Sequence, residues 1–594
     1  MSTKKLSLLR SVMKRESIDA VIIPSSDPHN SEYVAPHWQG RKWISGFTGS
    51  AGTVVVTMDE AALWTDSRYF LQAESELSEE WQLMKEYMPG TPTIAEWLKR
   101  KMSLLPNGGI VCVDGMVMPY EEIIRLTKEL RTIGCTMRTN YDALSTIWEE
   151  RPAKPANEIF PVDESIIGET VAEKLQRLRA AMGSCDAYVM TDLTEIAWTL
   201  NLRGSDVLMT PVFIAYLYIT HSDATVFVNG SCTSEAQAML AEAGVAIEMY
   251  DEFANFLRKK SSKNTLTLCS GKSTNYTIYS IVKEHVRDCD SPAGMMKAIK
   301  NDAEIEGFRR SMLRDGVAMV RFLRWLKPAV EAGGQTELTV SDKLEELRKE
   351  EGAKKFMSLS FGTICGYNEN GAIVHYAVTP ETAKALKAEG LLLLDSGAQY
   401  TDGTTDITRT IALGSLTPEM KRIYTLVLKA HIALASISFP EGTNGTNLDT
   451  IPHSVLWRGK VDYMHGSGHG VGACLSVHEG PQSMRQRWCP APLQEGMTLT
   501  IEPGVYLEGK FGIRIENTML VKSDNSVPVS EKKWLAFEPL TLCPIDTAPV
   551  EMDMLEQYEK DYLNDYHALV RERLLPLLSN PDDKAWLVEN TKKI

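Results

Sequence analysis

Two pairs of carboxylates sit on strand-like segments of this 594-residue chain. In residues 390–397, four leucines lead into Asp395-Ser396-Gly397, the pattern of a short buried strand with a carboxylate at its end. The turn signal Thr401-Asp402-Gly403 and a β-branched run over residues 404–411 follow, so a hairpin would bring Asp395 and Asp406 together. Residues 498–504 and 511–517 hold the second pair, Glu502 and Glu516. A strand period of two puts Arg514 and Glu516 on one face, opposite Ile513 and Ile515, and puts Glu502 on a face with Thr500, opposite Leu499 and Ile501. Uncompensated carboxylates in a core cost several kcal/mol or take up protons. A metal cation is the economical partner for both pairs.

Between the pairs lies Met464-His465-Gly466-Ser467-Gly468-His469-Gly470-Val471-Gly472. The i, i+4 spacing of His465 and His469 would suit a zinc-binding helix. Four glycines within seven residues forbid it, at a cost of roughly 3–4 kcal/mol in helix propensity, and the acidic residue of HExxH is absent. The segment is predicted as a loop whose glycines let the backbone approach a ligand while it presents two imidazoles. His375 and His478 flank the region, so that six of the eleven histidines fall between positions 375 and 478, where an even spread would give about two. His431 and His453, in an amphipathic segment and a loop, read as structural.

Four carboxylates and one imidazole, without sulfur, form a hard, oxygen-rich donor set that suits Mn²⁺, with Zn²⁺, Co²⁺ or Fe²⁺ feasible and a Cys-type structural zinc excluded. Four negative charges match two divalent ions better than one. Two metals about 3.5–4 Å apart can hold a hydroxide and polarise a carbonyl, so the chemistry implied is metal-assisted hydrolysis.

These strands need a large scaffold. Strand-like runs alternate with amphipathic helical stretches along the chain, an α/β signature, and the length predicts two to four domains. A weak repeat pairs Asp19-Ala20 with Asp186-Ala187, and Trp43 and Gly49-Ser50 with Trp198 and Gly204-Ser205, although the first copy has twelve more residues between its Asp and its Trp. Two related domains over residues 1–157 and 158–294 are expected, joined by the Pro-rich stretch 151–157. A long amphipathic helix, capped at Asn301 with Glu304 three residues on and closed by Lys327-Pro328, is expected to open a third domain over residues 295–594.

Hydrophobic residues at 43% and charged residues at 24% make the chain globular, and its net charge of −15 argues against general binding to nucleic acid or anionic membranes. Ten scattered cysteines without a CxxC pair fit a reduced, cytoplasmic setting. The N-terminus reads as an amphipathic helix rather than a signal peptide, and no apolar run approaches the ~18 residues of a membrane span. Two bound dications would bring the charge from −15 to about −11.

With these motifs the sequence resembles the metallo-aminopeptidases of the pita-bread fold, most closely the family of three-domain, cytosolic Xaa-Pro aminopeptidases. The resemblance is carried by Ile373-Val374-His375-Tyr376-Ala377, Asp395-Ser396-Gly397-Ala398-Gln399-Tyr400, residues 402–410, residues 465–472, Val477-His478-Glu479-Gly480-Pro481, Glu502-Pro503-Gly504 and residues 512–517. It extends to the N-terminal half through residues 43–52, 64–72 and 201–206. It implies a fold of two creatinase-type α/β domains followed by a pita-bread catalytic domain of mixed α/β and α+β character. It also implies a metal set in which Asp395 chelates one ion, His469 and Glu502 bind the other, and Asp406 and Glu516 bridge both. His375, His465 and His478 match substrate and transition-state histidines, Glu502 would assist proton transfer, and Arg514, which matches an arginine beside the second bridging carboxylate, is expected to help bind substrate. The implied reaction releases the N-terminal residue from peptides with proline second, through attack of a metal-bridging hydroxide, in a homodimeric enzyme.

Prolidases, which cleave Xaa-Pro dipeptides, carry similar ligands and are the rival among enzymes. A methionine aminopeptidase would not need two extra domains, and a metal-free creatinase-like hydrolase would not need all five ligands. A non-catalytic pita-bread binding module, the rival from another class, would have no reason to keep them.

Overall fold

Short runs of apolar β-branched residues bounded by turn residues form strands throughout the chain, a pattern set by side chains that pack well on a pleated, half-buried surface. The computed structural model describes residues 2–103, 105, 108–261, 265–526 and 532–594. It divides into one unit of Met1–Val162 with Glu169–Gly294 and another of Asp163–Gly168 with Met295–Ile594. Among the described residues no helix is long and apolar enough to cross a membrane.

The first unit holds two six-stranded mixed sheets of the same topology. One runs in the order Gln82–Lys85, Ala61–Thr65, Thr53–Thr57, Ala20–Pro24, Ile110–Val113, Thr136–Arg138. The other runs Val245–Met249, Ala224–Val228, Ala215–Thr220, Ala187–Met190, Thr267–Cys269, Val286–Asp288. In both, the four inner strands include two antiparallel pairs, and every other pairing is parallel. The paired aspartates of the repeat do the same work: Asp19 accepts the Ile110 N–H at 2.8 Å and Asp186 accepts the Leu266 N–H at 2.7 Å. Each thereby ties the start of its strand to the parallel neighbour. Trp43 and Trp198 both lie in the helix that follows, Gly40–Ser45 and Leu193–Thr199, and the extra residues of the first copy fall between strand and helix, where the 3₁₀ turn Pro36–Trp38 forms. The N-terminal helix Ser2–Arg15 buries Leu6, Leu9 and Met13 against the first sheet.

In the second unit, antiparallel sheets carry the site and helices pack against them. Leu391–Ser396 pairs antiparallel with Ile364–Tyr367 on one side and Ile407–Ala412 on the other, and Asp395 faces Thr408 across the ladder. Thr498–Ile501 pairs with Asn517–Ser523, and Gly504–Leu507 with Phe511–Arg514. Leu392 and Leu394 pack with Ile407 and Ile411 against helices Asp302–Ala332 and Glu337–Gly352. Ile513 and Ile515 pack against Pro418–Ala435 and Gln557–Leu574. Burial of each such side chain contributes about 1.5–3 kcal/mol, so the apolar alternates pin the strands and turn the polar alternates inward.

The helix Asp302–Ala332 begins at an Asn301 cap whose side chain accepts the Glu304 N–H at 2.9 Å, with the reciprocal bond from Asn301 N–H to Glu304 at 3.0 Å. Its end differs from expectation. Pro328 does not close the helix, which runs one more turn to Ala332. Leu326 and Val330 flank Pro328 in the same core, and their burial outweighs the one backbone hydrogen bond that proline cannot make. Gly333, at φ 84°, ends the helix instead.

Candidate metal centre

The hairpin Leu391–Ser396/Ile407–Ala412 and the turn before it deliver Asp395 and Asp406, while Thr498–Ile501 and Phe511–Arg514 end next to Glu502 and Glu516. Hydroxyls on alternate positions of one strand lock the two halves together. Thr408 Oγ1 donates to Glu516 Oε2 at 2.7 Å, Thr410 Oγ1 donates to the Arg514 carbonyl at 2.9 Å, and the Glu516 N–H donates to the Thr408 carbonyl at 3.1 Å. Donor atoms of Asp406, His469 and Glu516 all lie within 4.8 Å of one another. His469 Nε2 is 3.5 Å from both Asp406 Oδ2 and Glu502 Oε1.

The glycine-rich segment is not helical, as expected, but its centre, Gly468–Gly470, forms a short strand beside Glu479–Met484. A Cβ at Gly468 would collide with the Thr500 carbonyl oxygen, so only glycine lets this backbone lie so close to the strand leading to Glu502. His469 Nδ1–H donates to the Gly470 carbonyl at 3.0 Å, which leaves Nε2 as the lone-pair nitrogen facing the carboxylates. The His478 ring meets that of His469 edge-on at 4.3 Å. Lys297 and Lys300 both pair with the buried carboxylate of Glu479, next to His478. His375, half-buried, follows the turn Asn368–Ala372, which packs on the Phe511–Arg514 strand where Gly371 meets Gly512.

Arg514 is fully buried and turned towards the protein: Nε donates to Thr408 Oγ1 at 3.2 Å, Nη1 to Tyr506 Oη at 2.6 Å and Nη2 to Asp395 Oδ2 at 2.6 Å. His465 Nδ1–H donates to the Gly466 carbonyl at 2.8 Å, so its Nε2 accepts from the Tyr506 hydroxyl, also at 2.8 Å. Tyr506 thus joins Arg514 to His465. Sequence reasoning missed it, although Glu502, Gly504 and Tyr506 alternate, and the period-two argument applied to Glu502 would have pointed to it.

Burial, followed by the charge of Asp395, holds the Asp406 carboxyl well above the usual carboxylate range. Burial and then the charges of Asp406 and Asp395 do the same to Glu516. Arg514 is held firmly protonated despite its burial, chiefly by Tyr506 and Asp395. One arginine cannot balance four carboxylates. Asp395 Oδ1 is moreover buried without a hydrogen-bond partner, the condition a coordinated cation would satisfy. An orphaned carboxylate oxygen, crowded carboxylates and an imidazole with its lone pair aimed among them fit divalent metal ions.

A sequence model of Metallopeptidase family M24 matches residues 306–523, and one of the C-terminal region of peptidase M24 matches residues 533–594. Two models of the Creatinase/Prolidase N-terminal domain match residues 5–147 and 150–304. Fold and matches together define a metallopeptidase with creatinase-type N-terminal domains. The chain is 38% identical to Xaa-Pro aminopeptidase 1 of Dictyostelium discoideum over 100% of this chain and 96% of that one. It is 41% identical to Aminopeptidase P2 of Arabidopsis thaliana over 100% and 88%. The crystal structure of the X-prolyl aminopeptidase from Caenorhabditis elegans, described as a cytosolic enzyme with a di-nuclear active site, matches with a TM-score of 0.96 at 35% identity over 100% of both chains. The chain belongs to the Xaa-Pro aminopeptidases of metallopeptidase family M24.

Proposed function

We propose that the enzyme releases the N-terminal residue from peptides with proline in second position, and that Asp395, Asp406, His469, Glu502 and Glu516 hold two divalent metal ions for the reaction. The observation that carries this reading is the convergence of Asp406, His469 and Glu516 donor atoms within 4.8 Å. When bound, the ions supply an activated water and Lewis-acid polarisation of the scissile carbonyl. Mn²⁺ suits the hard, oxygen-rich donor set, with Zn²⁺ and Co²⁺ as alternatives.

Glu502 takes up the proton of the attacking water at a carboxylate oxygen, and His478 donates a hydrogen bond to the carbonyl oxygen as it gains charge. His465, held at Nε2 by the Tyr506 hydroxyl, orients the peptide together with His375, and the two relay to the departing proline nitrogen the proton that Glu502 took up. That nitrogen carries no N–H in the substrate, so a shaped pocket rather than a donor–acceptor pair must recognise it. Arg514 acts through Asp395 and Tyr506 rather than on the peptide, since its Nε, Nη1 and Nη2 all donate within the protein.

All ten cysteines are free, which supports a cytoplasmic enzyme. Trp457, Met464 and Trp488, exposed in the unit that bears the site, support a homodimer formed through it. Full-length relatives named as aminopeptidases favour this activity over that of a prolidase. Turnover of an Xaa-Pro-Pro peptide far above that of the Xaa-Pro dipeptide is the expected outcome, and exclusive cleavage of the dipeptide would reverse the assignment.

A further inference from the structure

The loop that carries His465 leads into the short strand Gly468–Gly470, which bears His469 and pairs with Glu479–Met484 and with Leu499. Glycines at 466, 468 and 470 give it high conformational freedom, so its geometry must be imposed by what it rests on. What it rests on is Ser467, which is fully buried. Asp449 Oδ1 accepts both the Ser467 N–H at 3.1 Å and the Ser467 hydroxyl at 2.7 Å. The Tyr463 hydroxyl meets the same Ser467 Oγ at 2.5 Å, and the Ser467 carbonyl accepts the Glu502 N–H at 2.9 Å.

Both anchors of Ser467 converge on one side chain that the mechanism does not use. His453 lies on the helix Gly445–Arg458 one turn after Asp449, on the same buried face, and is 1% exposed. Its ring stacks on that of Tyr463 at 4.1 Å and 17°, and its Nε2 is 3.5 Å from Asp449 Oδ2. On the far side Nδ1–H donates to Asp462 Oδ1 at 2.5 Å, while Trp457 Nε1 donates to the other oxygen of Asp462 at 2.8 Å. The opposite partner of Tyr463 is His465, with ring centroids 4.8 Å apart. A shift of His453 therefore has a packed route to His465 through Tyr463, and a contact without a hydrogen bond to Asp449, which in turn is bonded to Ser467 of the His469 loop.

We propose that His453 is a positioning residue for the reaction, fixing from beneath the loop that presents His465 and His469. The inference rests on the reading that those two histidines act at the metal centre. It touches neither substrate nor metal, so its signature is a loss in kcat and in order of the loop, with little change in KM.

The test uses the full chain with two variants, His453→Phe, which keeps a ring on Tyr463 but loses the bond to Asp462, and Asp462→Asn, whose site is 44% exposed and spares the core. Two measurements are made: kcat and KM on an Xaa-Pro-Pro peptide, and amide hydrogen exchange over residues 464–470 in the metal-free protein. A fall in kcat of about ten- to a hundredfold in His453→Phe, and a smaller one in Asp462→Asn, is expected, with KM within about twofold. Exchange should accelerate in the loop while the helices of the same unit stay protected. Wild-type kcat and wild-type exchange in either folded variant would overturn the proposal, as would exchange that rises evenly across the unit. If His453→Phe does not fold, Asp462→Asn decides alone. The exchange measurement needs neither metal nor turnover, so a failure of the metal assignment is seen separately, as full activity in His469→Ala.

Discussion

Arg514 Nη2 donates to Asp395 Oδ2 at 2.6 Å and thereby bonds the strand Phe511–Arg514 to the end of the strand Leu391–Ser396. The same guanidinium reaches Tyr506 through Nη1, at 2.6 Å. A lysine keeps the charge but gathers its three donors on one nitrogen in place of the planar fork, so it cannot reach Asp395, Thr408 and Tyr506 at once. Arg514→Lys is expected to lower kcat by about ten- to a hundredfold and to weaken metal binding, with the fold retained by circular dichroism. Kinetics at saturating metal separate the two effects: activity restored fully by excess metal would confine the role of Arg514 to affinity.

Asp406 gives a prediction with two signs. Its carboxyl is buried beside Asp395 and held well above the usual carboxylate range, so removing the acid relieves the metal-free protein while it deprives the holoenzyme of a proposed ligand. Asp406→Asn should leave the melting temperature of the metal-free protein unchanged or raised. It should also abolish the rise in melting temperature that metal produces in the wild type, and turnover with it. Thermal unfolding with and without added Mn²⁺ reads both signs, and a metal-dependent rise preserved in the variant would remove Asp406 from the ligand set.

Acid sensitivity should come in part from two buried imidazoles outside the proposed ligand set, His431 and His567. Burial, helped by Arg409, pushes His431 down to about 3, and burial with Arg409 pushes His567 down to about 4. His567 Nε2 accepts the Ile545 N–H at 3.1 Å, so it must be neutral in the native state. Both folded values lie below the unfolded value of about 6.5, so the unfolded chain takes up these protons first as pH falls. Stability should be whole above pH ~6.5 and should fall below it by up to about 1.4 kcal/mol per pH unit per group, until each native pKa is reached. Urea unfolding of His431→Phe between pH 7 and 4.5 should show a shallower pH slope than the wild type, and an unchanged slope would contradict the neutral assignment.

The carboxylates were legible because a strand writes its faces into a period of two: Arg514 and Glu516 do share contacts through Thr408, and Ile513 and Ile515 do lie in the core. The matching sheets of the first unit were foreshadowed by Asp19 and Asp186, which make the same strand-end bond. Pro328 misled because the local rule weighs a lost hydrogen bond and cannot see Leu326 and Val330 buried on either side of it. The strand Gly468–Gly470 left no pattern, since glycines on either side of His469 give no alternation of polar and apolar side chains to read. His453 looked structural because its meaning lies in Asp462, Tyr463 and Asp449, which only the packed helix and loop bring around one ring.

Tyr506 bridges Arg514 and His465 through one oxygen. Tyr506→Phe removes that oxygen and little else, leaving His465 Nε2 without its donor. A drop in kcat of roughly tenfold or more is expected, with metal content unchanged, because the phenol orients a proton-transfer group rather than a ligand. Metal analysis beside steady-state kinetics checks it, and lost metal would place Tyr506 in support of the ions instead.

Asp395, Asp406, His469, Glu502 and Glu516 are proposed to bind two divalent ions on which Xaa-Pro cleavage depends. Titrating the metal-stripped enzyme with Mn²⁺ while following both bound metal and hydrolysis of an Xaa-Pro-Pro peptide measures it directly. No turnover is expected without metal, with activity that rises with occupancy and saturates at two ions per chain in the wild type, and with full occupancy lost in His469→Ala. Full activity in the stripped enzyme, or two ions still bound and active in His469→Ala, would contradict it.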